Sequence, residues 1–187
     1  MNQDIGRAIV FSMPVVSAAV SLILISLDTT RSSNTVDRKI HYNMIAVYCL
    51  MILFWSGLVM HSIARDTFIA YLPVFFSSFA FIPVFLYRIT HIITDTGERK
   101  LFPACHFILP ACLTLIICAI ALAVPLRQRW AAIYDNEVNL TSAIIDITFI
   151  VCILLCILYS WLSLLRIKSY KRKIIDYSAD IYRMSLD

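Results

Sequence analysis

The chain has 187 residues, 60% of them hydrophobic and 15% charged, with a formal net charge of +4 and a mean hydropathy of +0.82. A soluble domain of this size cannot bury so much apolar surface, which excludes an ordinary globular fold. Lipid offers the backbone no hydrogen-bond partners, so apolar runs of about 20 residues without strand-like alternation predict spanning helices rather than a barrel.

The first span is expected over 8–27. Arg7 precedes it as in a signal peptide, but the run is long and ends in Ser26-Leu27-Asp28 without a small-residue cleavage site, so it reads as a retained helix. A polar stretch with Thr, Ser and Asn leads to the second span, 44–63, and only 64–67 separates that from the third, 68–89. So short a link predicts a tight helical hairpin. A loop with Gly97 follows, then the fourth span over 107–124, a mixed connection over 125–141, and the fifth span over 142–165. Residues 166–187 read as a basic amphipathic tail or connector that continues the last helix out of the membrane. The expected fold is therefore all-α, an integral membrane bundle of about five transmembrane helices, with no internal repeat of the kind common in transporters.

Lysine and arginine set the expected orientation. Arg31, Arg38, Lys39, Arg88, Arg99, Lys100, Arg166, Lys168, Lys171, Arg172, Lys173 and Arg183 fall on one side, and only Arg7, Arg65, Arg127 and Arg129 on the other. The positive-inside rule then predicts a cytoplasmic C-terminus and, with an odd number of spans, an external N-terminus. The cluster Arg166, Lys168, Lys171, Arg172 and Lys173 reads either as a stop-transfer anchor or as a contact with anionic headgroups.

Asp146 lies about one turn inside the fifth span, where exposure to lipid is costly. Two readings stay open, a ligand or proton site and an interfacial carboxylate bonded to Ser142 or water. Pro14, Pro73, Pro83 and Pro110 fall inside spans, where each removes a backbone donor and favours a kink. Kinks open space between helices, and a ligand cavity lined by Tyr71, Tyr87, Ser77 and Ser78 is the candidate that follows.

His91, Asp95, Glu98, Cys105 and His106 read as a solvated loop rather than a metal site, because Gly97 interrupts the helical spacing and no HxxxH or ExxH pair is present. His41 and His61 read as interfacial, and the six cysteines, with no CxxC, as small buried hydrophobes. Asn139-Leu140-Thr141 fits a glycosylation sequon but lies close to the fifth span and reads as unused. The sequence has no GxSxG, Walker A or HExxH motif and no Cys/His nucleophile pair with a visible orienter, so neither an enzyme nor a cofactor is expected.

The stretch from His91 through Thr96-Gly97-Glu98, Phe102 and His106 to Pro110, followed by Pro125, resembles part of certain bacterial membrane-anchored transcription regulators. Their transmembrane helices precede a cytoplasmic AraC-type helix-turn-helix domain. Ser169-Tyr170-Lys171-Arg172-Lys173, Tyr177-Ser178 and Ser185-Leu186-Asp187 resemble the connector after their last span. The DNA-binding half would follow Asp187 and is not in this sequence. The resemblance implies a sensing or anchoring membrane half that serves a cytoplasmic regulator or a homo-oligomer and does not bind nucleic acid itself. A small transporter or channel subunit, and a sensor module of a histidine kinase system, are the alternative expectations.

Overall fold

The computed structural model describes residues 2–31, 35–94, 102–135 and 139–184. These form α1 (Asn2–Arg31), α2 (Thr35–Ile63), α3 (Arg65–Ile93), a 3-10 turn (Ala104–Phe107), α4 (Ile108–Ala123), α5 (Leu126–Tyr134) and α6 (Leu140–Met184). Five of them, α1, α2, α3, α6 and α4 with its leading turn, are long and apolar enough to cross a membrane, and there is no strand among the described residues. The protein thus has the character of a multi-pass membrane protein.

The helices outrun the apolar runs that announced them. α2 begins at Thr35 rather than at 44, and α3 starts at Arg65, so the expected 64–67 link shrinks to Ala64 alone. The connection over 125–141 contains a helix of its own, α5. Ala64 N–H still bonds to Met60 C=O at 2.7 Å and Phe68 N–H to Ala64 C=O at 2.9 Å, which makes the turn between α2 and α3 very tight.

α3 is the hub. It packs against α2, α4, α5 and α6, whereas α1 packs against α2. Phe68, Ile69, Leu72, Phe75, Phe76, Ala80, Pro83 and Val84 are all buried along it, as expected of a helix that is apolar on every side. α6 offers α3 a single stripe, Thr148, Cys152, Leu155 and Tyr159, at alternating spacings of four and three that keep them on one face. The outward faces of α1, α4 and α6 carry exposed Val10, Met13, Leu115 and Ile157, surface that lipid covers. The cysteines follow this division rather than the expectation of burial: Cys152 is buried on the α3 side, while Cys49, Cys105 and Cys112 are exposed.

Small residues allow the closest approach. A methyl group built on Gly57 would lie 2.6 Å from Phe75 Cδ2 and 3.3 Å from Tyr71 Cε1, so only glycine lets α2 reach the aromatic face of α3. There Phe54 stacks on Phe75 with centroids 5.1 Å apart, and Tyr71 donates its hydroxyl to Leu53 C=O at 3.0 Å. Overpacking a filled core costs about 1 to 3 kcal/mol. Gly57→Ala should lower the thermal midpoint in detergent or nanodiscs by a corresponding amount, and Phe75→Leu in the same chain should recover part of the loss.

Candidate functional site

Successive spans run in opposite directions, so chemistry collects at the two ends of the bundle. At one end lie the start of α1, the break between α2 and α3, α5 and the start of α6; at the other lie the 3-10 turn, the end of α3 and the tail half of α6. We call them the α5 end and the tail end.

The α5 end is organised by Arg129, which is 7% exposed. Pro73 has no N–H, so the Ile69 carbonyl one turn earlier in α3 loses its helical donor. Arg129 Nη1 donates to that carbonyl at 3.2 Å, and its Nε donates to Val124 C=O at 3.1 Å, just before Pro125. Among the described residues no carboxylate pairs with this guanidinium; backbone dipoles take the place of a counter-ion. Pro125 leads directly into α5, with Gln128 and Arg129 N–H both bonded to its carbonyl, which aims the short helix across the end of α3.

Around this lock, Arg65 lies over the Tyr134 ring at 5.1 Å, and the His61 ring contacts Phe68 at 4.9 Å and Tyr134 at 5.5 Å. The Tyr134 hydroxyl is buried and has no hydrogen-bond partner among the described residues. Burial first, and then Asp66, raise its pKa above the ordinary 10.0 against the opposing pull of Arg65. A recess of about 490 Å³ opens beside it, lined by Asp4, Ser62, Arg65, Asp66, Thr67 and Trp130. A second, of about 250 Å³, shares Asp66 and Trp130 and adds Leu126 and Arg127. α3 begins at this recess without a side-chain cap, since Ala64 has no oxygen to offer. Both signs of charge, two hydroxyls and an indole line the recess.

At the tail end the His106 carbonyl lies in the 3-10 turn that leads into α4, whose first turn holds Pro110, and Tyr159 of α6 donates its hydroxyl to that carbonyl at 3.3 Å. The same hydroxyl lies 3.2 Å from His106 Nδ1, and the arrangement closes when Nδ1 carries the proton and donates to Tyr159. Tyr87 and His106 meet the Tyr159 ring in tilted and edge-on contacts, Phe102 packs on both of them, and Arg88 covers the rings of Phe102 and Phe107 at 5.9 and 5.8 Å. Arg166 Nε donates to Thr94 Oγ1 at 2.7 Å, tying α6 to the end of α3.

The residues singled out from the sequence do not meet. Tyr71 belongs to the α2–α3 contact and Tyr87 to the tail-end cluster, about 24 Å apart along one helix. Ser77 and Ser78 donate to Pro73 and Val74 carbonyls of their own helix. Asp146 is exposed, on the face of α6 opposite the stripe that meets α3. Its expected partner is engaged elsewhere: Ser142 N–H bonds to Asn139 Oδ1 at 2.9 Å and Ser142 Oγ accepts from Asn139 N–H at 3.1 Å, a reciprocal cap that also occupies the sequon asparagine. About 30 Å of helix separates Asp146 from Arg166, close to the thickness of the hydrocarbon core. Lys168, Lys171, Arg172 and Lys173 are exposed, and Arg166 is half-buried. His91 and His106 face the Phe102 ring, while Asp95 and Glu98 lie outside the described residues. His41, read as interfacial, is 3.3 Å from Asp28 and joins α1 to α2.

The proline account makes a specific claim about coupling. Arg129→Met should cost about 2 kcal/mol, because it strands a carbonyl held by a charged donor. In a Pro73→Ala background residue 73 supplies its own N–H to Ile69, and the same substitution should cost at least about 1 kcal/mol less; equal costs in the two backgrounds would refute the account. Tyr134 gives a second test. Its phenol stays neutral in the folded protein after the unfolded chain begins to ionise, so its contribution is full below pH 10.0 and declines as pH rises beyond it. Tyr134→Phe should remove that alkaline loss and leave neutral-pH stability unchanged or slightly higher.

Comparison with protein-family models, with curated proteins and with solved structures finds no match to this chain.

Proposed function

We propose that this protein is a non-enzymatic membrane anchor and sensor, coupled through its last helix to a cytoplasmic transcription regulator. The observation that carries the reading is α6: one unbroken helix from Leu140 to Met184, about 67 Å long and roughly twice the thickness of the hydrocarbon core. It starts at the α5 end beside the polar recess, rests on α3 through Thr148, Cys152, Leu155 and Tyr159, and emerges at the tail end as a basic helix. A ligand that favours one packing of α3, α5 and α6 shifts the position or rotation of the emerging segment. The resemblance of the segments around His91–Pro110 and Tyr170–Asp187 to membrane-anchored AraC-type regulators supports the choice of output.

In this reading the membrane is the bacterial cytoplasmic membrane, with the N-terminus outside and the C-terminus inside. Arg38, Lys39, Arg88 and the Arg166–Lys173 cluster share the tail end, and the positive-inside rule turns that end to the cytoplasm. A second reading, a small transporter or channel subunit, draws on the exposed Asp146, which a further copy of the chain would have to enclose. Unchanged solute uptake in Asp146→Asn vesicles would count against it.

Deleting the gene should change a defined set of transcripts. Wild-type protein and Ser169→Ala should restore them, whereas Ser169→Pro, which interrupts α6 where it leaves the membrane, should insert normally and fail to restore them. No transcript change on deletion would overturn the sensor reading. A reporter active only outside the cytoplasm should work when fused after Asn136 and stay silent after Asn34 or Asp187.

A further inference from the structure

α4 and α6 both lean on α3 but scarcely touch each other, and their divergence leaves an apolar groove of about 540 Å³. Its walls are Leu109 of α4 with Val151, Leu154, Ile157, Leu158 and Trp161 of α6, and its floor is Leu155, 3% exposed. Within the α6 wall, Val151, Leu154, Leu158 and Trp161 follow spacings of three and four that keep one face. Continued past Trp161, that spacing reaches Leu165, Lys168 and Arg172. The stripe is therefore apolar for about 15 Å along the helix, carries an indole at the level where indoles favour the membrane interface, and turns basic within about 10 Å more.

Lys168 and Arg172 are exposed, and among the described residues neither has a hydrogen-bond or ion-pair partner. On α6 no carboxylate lies within one turn of Lys168, and the first beyond Arg172 is Asp176, one turn on. From Val151 to Lys168 the stripe is about 25 Å long, the reach of one acyl chain with its headgroup. We infer that this groove is a binding site for one anionic phospholipid of the tail-end leaflet, its chain lying between α4 and α6 and its phosphate on Lys168 and Arg172. Charge chooses the occupant: a transmembrane helix of another protein would fill the groove equally well but would leave the two cations unused. The site is independent of the recess at the α5 end and of the sensor reading.

Trp161 reports on the groove directly. In a Trp55→Phe/Trp130→Phe chain it is the sole indole, and in nanodiscs its fluorescence should be quenched by brominated phosphatidylglycerol at about one tenth of the mole fraction needed with brominated phosphatidylcholine. Lys168→Gln/Arg172→Gln, both exposed positions that leave the fold intact, should remove that preference while phosphatidylcholine still quenches. Leu154→Ala, which widens the groove without touching the charges, should keep it. Equal quenching by both lipids in the starting chain, or a preference that survives loss of both cations, would overturn the assignment; so would no quenching by either lipid, which would mean that another helix occupies the groove.

Discussion

A proline inside a membrane span leaves a carbonyl without its donor in a medium that has no water to replace it, and at Pro73 the packing of this protein answers that constraint with a side chain from another helix. Pro73 strips Ile69, and Arg129 arrives from α5; at the other end Tyr159 arrives from α6 at the His106 carbonyl, in the 3-10 turn ahead of α4. In each case the donor belongs to a different element, so a backbone carbonyl becomes the seat of a tertiary contact. α5 is held across the end of α3 by the first, and α6 is fixed against the head of α4 by the second. Pro73, which a sequence reader associates with a cavity, here makes a socket for Arg129.

This arrangement divides the labour among the helices. α3, buried on nearly every side, is the fixed core, and Gly57 lets α2 close on its aromatic face. α1, held mainly by α2, and the outward half of α6 face lipid. The polar recess therefore lies where the α2–α3 break, α5 and the start of α1 converge, and α6 is the element that joins that end to the far side of the membrane. A ligand-dependent change in the Arg129 or Arg65–Tyr134 contacts would reach the tail along α6 without passing through a flexible joint, which gives the proposed sensor a physical route.

The five spans were legible in the sequence because hydropathy reports the need to match lipid directly. Their ends were not, since helix continues past the lipid through polar residues such as Thr35–Tyr42 that carry no hydropathy signal. α5 was missed because Leu126-Arg-Gln-Arg-Trp mixes charge and apolar surface in a segment too short to show a period. Arg129 was counted only as an external charge. The signal that could have identified it was the span proline itself: Pro73 implies an orphan carbonyl at Ile69, and an orphan carbonyl implies a donor from elsewhere. Conversely, Tyr71 and Tyr87 were grouped by residue type although their spacing along one helix keeps them at opposite ends. Ser142 could not be assigned to Asn139 rather than Asp146 without the start of α6 in view.

The carbonyl of His106 offers the most direct test of the central claim, because His106-Phe107 is the sole His-Phe pair in the sequence. Labelling histidine with 13C at the carbonyl and phenylalanine with 15N isolates that one peptide bond in solid-state NMR of the membrane-embedded protein. If Tyr159 is its donor, the 13C resonance in the wild-type chain lies at the downfield position of a hydrogen-bonded carbonyl and moves upfield in Tyr159→Phe, while the other histidine carbonyls stay in place. An unchanged His106 resonance in Tyr159→Phe would contradict the account that side-chain donors from neighbouring helices, seated on backbone carbonyls, hold the two ends of this bundle together.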